Sequence, residues 1–273
     1  MPDADQELLD RARAGHAGAL EQLLERHQAQ IYRFGMKMCG NPEDAKDVLQ
    51  DTLLSAARSV RDFRGGSSIS TWLYTVARSF CVKKRRKSKF APKEPALSLD
   101  GAAEQAADPG MAPDESLASK QVEQALERAI DALPPMYREV LLLRDVEGLT
   151  APEVGRVTGL SVQAVKSRLH RARLSVRAHI APLLGIPSDL PAAPGTCPDV
   201  LTLFSEHLEG QISAAICAEM ERHIEACPRC KGACDSLKRT LSLCHASSPV
   251  AQIPASVQAS VKVALRDLLA GNA

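Results

Sequence analysis

Cys197, His223, Cys227 and Cys230 stand at the spacing C-x25-H-x3-C-x2-C, and this pattern restricts the fold more than any other feature of the chain. His223 and Cys227, at i and i+4, share one face of a helix, and Cys230 follows within a turn. Three thiols and one imidazole form the donor set of a tetrahedral, closed Zn²⁺ site. A soft thiolate set of this kind also accepts Cu(I) or Cd²⁺. Metal binding would tie residue 197 to residues 223–230 and so define a small module. Four protein ligands leave no open coordination position, and no acid/base pair accompanies them, so no enzyme is expected. Pro198 and Pro228 each follow a cysteine, as proline does at a first helical position. Cys234 comes four residues after Cys230. It could serve as an alternative ligand, as a disulfide partner once oxidant expels the metal, or as a small buried apolar residue.

A chain of 273 residues is long enough for two or three small domains. Lys and Arg number 34 and Asp and Glu 33, so net charge identifies no partner. Charge placement does. "KKRRKSK" (83–89) holds six bases, residues 91–119 hold six acids and one base, and residues 161–179 hold five bases and no acid. Such blocks mark interaction surfaces or solvated tails. The N-terminal "MPDADQELLDRARAGHAG" lacks the apolar core of a secretory signal. No apolar run reaches the length of about eighteen residues that a membrane helix needs, so no membrane partner is expected. The expectation is a cytoplasmic chain, whose eight cysteines are thiols or metal ligands rather than structural disulfides.

Periodicity predicts an all-α architecture: two helical domains joined by a flexible linker, the second a helix-turn-helix, and a small zinc-binding helical domain. Residues 5–90 carry apolar stripes at Leu20, Leu23, Leu24, His27 and Ile31, then at Val48, Leu49, Thr52, Leu53 and Ala56. In "GNPEDAKDVLQ", Asn41 is the expected N-cap, with Pro42 at the first helical position and acids in the first turn. Residues 91–114 form an acidic flexible linker, 115–184 a second helical module, 185–196 a second linker and 197–245 the cysteine-rich module. The tail, 246–273, is amphipathic through Val257, Val261, Ala264, Leu265 and Leu268.

Within 115–184, "LTAPEVGRVTGLSVQAVKSRLHRAR" has the helix-turn-helix pattern. Thr150 caps the first helix, Gly159 makes the turn and Ser161 caps the second. Val162, Val165, Leu169 and Ala172 are expected to pack, and Lys166, Ser167, His170 and Arg171 to face outward. A recognition helix needs this division between a packed face and a face that reaches base edges and phosphates. In the first module, Phe63, Trp72, Tyr74, Phe80 and Phe90 lie among Arg78, Lys83, Lys84, Arg85 and Arg86. Rings beside cations suit single-stranded DNA, although Trp72 and Phe80 fit a core equally well.

The order "DAKDVLQDTLLSAARSVRDFRGGSSISTWLYTVARSFCVKKRRK", an acidic linker, then "ALPPMYREVLLLRDVEGLTAPEVGRVTGLSVQAVKSRLHRAR" resembles bacterial RNA polymerase sigma factors of the extracytoplasmic function group. The resemblance covers about residues 10–184. It implies that the first module binds core RNA polymerase and opens the minus-ten element of promoter DNA, and that the second reads the minus-35 element. It assigns polymerase binding to Asp44, Asp47, Gln50 and Asp51, in a family pattern that a solvated acidic face would also produce. The loop "FRGGSSIST" (63–71), with Arg64, Gly65 and Ser67, matches the loop that captures a flipped base. Trp72, Arg78, Lys84 and Arg85 match the melting helices, and Lys166, Ser167, His170 and Arg171 match the minus-35 readers. Ser79 departs from the family's usual Asn. "CPDVLTLFSEHLEGQISAAICAEMERHIEACPRC" resembles the zinc-binding anti-sigma domain, with His207 and Glu209 in place of the usual Tyr and Asp. The fused organisation implies control in cis, by metal or oxidant, through contact between the C-terminal domain and the sigma domains. A helix-turn-helix repressor or activator that acts without polymerase is the alternative.

Overall fold

The structure, a computed structural model, describes residues 2–63, 65–90, 113–185, 192, 196–247 and 253–270. Most of both predicted linkers, 91–112 and 186–195 apart from residue 192, lies outside them, as does Arg64. Among the described residues there is no strand, so the fold is all-α. The chain forms two compact units. One comprises residues 1–87, 139–165 and 248–273, and the other 88–138 and 166–247.

The first unit is built on α1 (Pro2–Arg13), α2 (Ala17–Cys39) and α3 (Pro42–Ser59). Asn41 starts α3 as its composition predicts: its side chain accepts the Asp44 N–H at 2.7 Å, and Pro42 follows. Ala45, Val48, Leu49, Thr52, Leu53 and Ala56 turn inward, so the acids of α3 are left on its outer side. In α4 (Ile69–Phe90), the Ser68 hydroxyl accepts the Thr71 N–H at 3.2 Å at the start of the helix. The C-terminal α12 (Ala255–Ala270) buries Val257, Val261 and Leu265 and packs on α3.

Helix α5 (Pro113–Ala132) belongs to the second unit, and α6 (Pro135–Leu141) runs on into a single π-helical turn, Leu142–Val146. In α7 (Ala151–Thr158), Thr150 and Glu153 form a complete capping box. A Cβ on Gly155 would lie 2.9 Å from the Leu160 carbonyl oxygen, so the chain can double back at Gly159 only because Gly155 has no side chain. Helix α8 (Val162–Ile180) begins with the Ser161 hydroxyl accepting the Ala164 N–H at 3.2 Å. Val165, Leu169 and Ala172 are buried as expected, but Val162 is 39% exposed. As the first helical residue, Val162 precedes the packed stripe, which continues instead to Val176 and Ile180.

In the second unit α9 (Val200–Leu208), α10 (Ala214–Ala226) and α11 (Pro228–Ala246) enclose a small core of Val200, Phe204, Met220, Cys227, Cys230, Cys234 and Leu237. Pro228 is the first residue of α11, as expected. Pro198 is not helical: Asp199 caps α9 by accepting the Thr202 N–H at 3.2 Å, which pushes Pro198 outside the helix. No described helix is long and apolar enough to cross a membrane.

Candidate functional site

The junction of α10 and α11 concentrates the sulfur chemistry. His223 lies in the last turn of α10, Cys227 is at once the C-cap of α10 and the N-cap of α11, and Cys230 is in the first turn of α11. Cys197 reaches them from the strand-free segment before α9. The ligand atoms of Cys197, His223, Cys227 and Cys230 all lie within 4.8 Å of one another. Cys197 Sγ and Cys227 Sγ are 3.9 Å apart, and His223 Nε2 and Cys230 Sγ are 3.2 Å apart. Ligands held at about 2.3 Å around one tetrahedral centre are about 3.8 Å apart, so the spacing suits Zn²⁺. Burial, with the Cys197 and Cys227 thiols close by, pushes the Cys230 thiol up to about 12. Three thiolates in this space therefore need a cation, and the residues present fit one. Cys234 lies a turn further on, fully buried, with Sγ 4.0 Å from the Val200 carbonyl oxygen. Its placement is that of a small core residue.

The basic face of α8 meets groups from α9 and the turn that follows it. Lys166 Nζ donates to the Glu209 carbonyl oxygen at 2.8 Å, and His170 Nε2 lies 3.4 Å from Thr202 Oγ1. Arg171 donates to the Tyr137 hydroxyl at 3.3 Å, while Ser167 is exposed. Arg173 and Glu209 form an ion pair at 2.8 Å in which the side chains are only 2% and 4% exposed. Neither member of this pair was assigned a contact by the sequence reading. A local clue existed for Arg173, which lies at i+4 from Leu169 and hence beside the packed stripe; the partner, 36 residues away, left none.

On α3, Asp44 and Asp47 both face Lys84 of α4, and the Asp44–Lys84 distance is 3.1 Å. Burial works to raise the Asp44 carboxyl, but hydrogen bonds from Asn41 and Lys84 hold it below its usual range. The Lys84 ammonium is raised, chiefly by its hydrogen bond to Asp47. Gln50 is half-buried and Asp51 exposed. On α2, Glu25 meets Lys262 of α12 at 3.3 Å, and Glu21 meets Lys262 and Arg266 at 3.8 Å each.

The loop before α4 exposes Gly65, whose φ of 75° suits only glycine, and half-exposes Ser67. Trp72 is half-buried and packs on Phe63 with ring centroids 5.0 Å apart, and Arg13 covers the other ring at 5.5 Å. A cavity of about 450 Å³ opens beside them, lined by Asp5, His27, Gln30, Phe63, Ser67 and Ser68 among others. Tyr74 is buried, not available for stacking. Its hydroxyl donates to Glu147 at 2.6 Å, and Arg33 Nε donates to the same carboxylate at 2.7 Å. Arg78 donates to Glu139 at 2.9 Å, and Arg85 is half-exposed. Glu139, absent from the sequence-based candidates, thus engages Arg78, which the resemblance assigns to DNA, and Glu147, also absent from them, holds Arg33 and Tyr74.

Comparison with known proteins gives three family matches. Residues 23–90 match Sigma-70 region 2, residues 123–176 match Sigma-70 region 4, and residues 197–231 match a zinc-finger family. The chain is 33% identical over 184 residues to the ECF RNA polymerase sigma factor SigM of Mycobacterium tuberculosis, covering 67% of this chain and 85% of that protein. It is 26% identical to ECF RNA polymerase sigma factor SigW of Bacillus subtilis, covering 64% and 96%. Among solved structures, CnrH in complex with the cytosolic domain of CnrY is 26% identical, with a TM-score of 0.48, covering 64% of this chain and 96% of that one.

Proposed function

This chain belongs to the extracytoplasmic function RNA polymerase sigma factors, and from that membership we propose that it is a sigma factor inhibited in cis by its own C-terminal metal-binding domain. As a sigma factor it is not an enzyme; it directs promoter-specific initiation by core RNA polymerase. It works in the cytoplasm. Residues 5–90 bind polymerase through Asp44, Asp47, Gln50 and Asp51 and handle the minus-ten element through Arg64, Gly65, Ser67, Trp72, Arg78, Lys84 and Arg85. Residues 115–184 read the minus-35 element through Lys166, Ser167, His170 and Arg171. Residues 197–245, after the linker 185–196, form the inhibitory domain, and the tail 246–273 extends it.

The observation that carries the reading is the turn at Glu209, whose carbonyl oxygen takes the Lys166 ammonium and whose carboxylate takes the Arg173 guanidinium. A carboxylate and a carbonyl oxygen present to α8 the chemistry that phosphate oxygens and base edges present in DNA. Both sets of contacts cannot be made at once. The packing of α12 on α3, the helix that carries Asp44, Asp47, Gln50 and Asp51, supports the same reading on the polymerase side. Bound Zn²⁺ would neutralise the clustered thiolates and tie the start of α9 to the α10–α11 junction, through Cys197, His223, Cys227 and Cys230. With that tie in place, Asp199 caps α9 and Thr202 and Glu209 are held at the face of α8. Loss of the tie loosens α9 and frees the basic face.

The test is transcription from a promoter with core polymerase, using the full chain and a 1–184 truncation, each with metal and with chelator. The truncation is expected to be active in both conditions, and the full chain active only after chelation. An inactive truncation that binds no polymerase would refute the sigma assignment. A full chain equally active with metal would refute inhibition.

A further inference from the structure

Two cysteines remain outside the metal-binding module, and they face each other. Cys39 is the last residue of α2, and Cys81 lies midway along α4. Their sulfurs share a contact at 3.7 Å, although 42 positions separate them in sequence. Cys81 is 2% exposed and Cys39 half-buried, so small solutes reach the pair from the Cys39 side. The two thiols differ in acidity. Contact with Cys81 lowers the Cys39 thiol against burial and the nearby Asp44 carboxylate, with smaller help from Lys84 and Arg85, while the Cys81 thiol is raised by the same contact and by burial. An acidic, accessible thiol beside a buried, protonated one is the arrangement of an attacking and a resolving cysteine.

We infer that Cys39 and Cys81 form a redox-modifiable dithiol that peroxide-class oxidants convert into a disulfide joining α2 to α4. The Cys39 thiolate attacks the O–O bond, forming Cys39 sulfenic acid and releasing hydroxide, which takes up the proton that the Cys39 thiol gave up. The Cys81 sulfur then attacks the sulfenic sulfur: an S–S bond forms, the S–O bond breaks, and the Cys81 proton leaves with the hydroxyl as water. Two thiols are oxidised and one peroxide is reduced to two waters. The sulfurs need close less than about 2 Å to reach bonding distance, near 2.05 Å. The new bond lies beside an existing one. Lys84 sits one turn after Cys81 and pairs with Asp44 and Asp47, while Gly40 and Asn41 link Cys39 to α3. The disulfide therefore fastens the α2–α3 corner to α4 where an ion pair already joins them. Neither cysteine belongs to the metal cluster, so this chemistry stands whether or not the C-terminal domain inhibits the chain.

The experiment treats the metal-loaded full chain with hydrogen peroxide, quenches it with an alkylating reagent, and maps peptides without reduction while metal content is followed. A Cys39–Cys81 linked peptide is expected while metal is still retained, reversed by a dithiol reductant and absent from Cys39→Ser and Cys81→Ser. The linked protein should melt at least about 5 °C higher, because a closed loop of this length restricts the unfolded chain. Cys39→Ala serves as the control should Cys39→Ser fold poorly. Over-oxidation of Cys39 with Cys81 left as free thiol would overturn the inference. So would linkage of either cysteine to a different partner, or linkage appearing only after the metal is lost.

Discussion

Glu209→Ala tests the proposed inhibition at the contact between the turn after α9 and helix α8. In the native chain the Glu209 carboxylate meets Arg173 at 2.8 Å, with both side chains almost wholly removed from water. Deleting the carboxylate removes the charged partner that this buried guanidinium has in Glu209. Breaking a buried pair by removing one member costs about 3–5 kcal/mol. With about 1.4 kcal/mol per factor of ten, docking of the domain on α8 should weaken by roughly two to three and a half powers of ten. In the proposed cis-inhibited state a short tether would set an effective concentration of about the millimolar range, so closure would be strong but finite, and a loss of this size would open it. The assay is binding of a promoter fragment by the full, metal-loaded chain, with the 1–184 truncation as the fully open reference. Glu209→Ala should move affinity most of the way to that reference while the metal stays bound. Unchanged promoter affinity in a folded, metal-loaded variant would refute the reasoning, because the pair would then be structural only.

Asp47→Lys should weaken binding to core polymerase and leave the circular dichroism spectrum intact: Asp47 is half-exposed, and its ion pair with Lys84 contributes at most about 1 kcal/mol to the fold. Gly155→Ala should destabilise the helix-turn-helix by about 1–3 kcal/mol in chemical denaturation, since the added Cβ meets a carbonyl oxygen at 2.9 Å that cannot move without opening the turn. His27 is buried, and burial outweighs the nearby Asp5 and holds the imidazole below its ordinary 6.5. Its folded form resists protonation, so its contribution is complete above about pH 6.5 and is lost as pH falls below it. Melting temperatures of wild type should fall between pH 7.5 and 5.5 more steeply than those of His27→Gln. Chelation or Cys227→Ser should release metal and unfold the α9–α11 module, because metal binding supplies about 10–16 kcal/mol in domains of this kind. Near-ultraviolet and metal-content measurements read both effects together, and affinity should fall on acidification because each thiol must shed a proton to bind.

The buried faces of α2 and α3 were legible because a helix repeats every 3.6 residues, and Leu23, Ile31, Val48 and Leu53 fall on that period. Three of the four clustered ligands were legible for the same reason: His223, Cys227 and Cys230 lie within two turns, and only Cys197 had to be brought from afar. Caps such as Asn41 and Thr150 are local chemistry and could be read directly. Pairings across the fold could not. Arg33 finds Glu147 across 114 positions, and Arg78 finds Glu139 across 61, because tertiary packing, not local periodicity, chooses the partner. Tyr74 shows the limit most clearly. A ring among cations reads as a stacking platform, yet Phe34 takes its edge at 5.4 Å and Glu147 takes its hydroxyl, so the core claims it. Val162 and Pro198 were misplaced at helix starts, where one residue of register decides between burial and solvent.

In the proposed inhibited state the C-terminal domain and tail cover surfaces that polymerase and DNA must use. Hydrogen exchange of the metal-loaded full chain, alone and then with core polymerase and promoter after chelation, tests it most directly. Amides of residues 200–210 and 255–268 should be protected in the isolated chain and should exchange rapidly in the active transcription complex. Continued protection of both segments in a complex that initiates transcription would rule out inhibition by these surfaces.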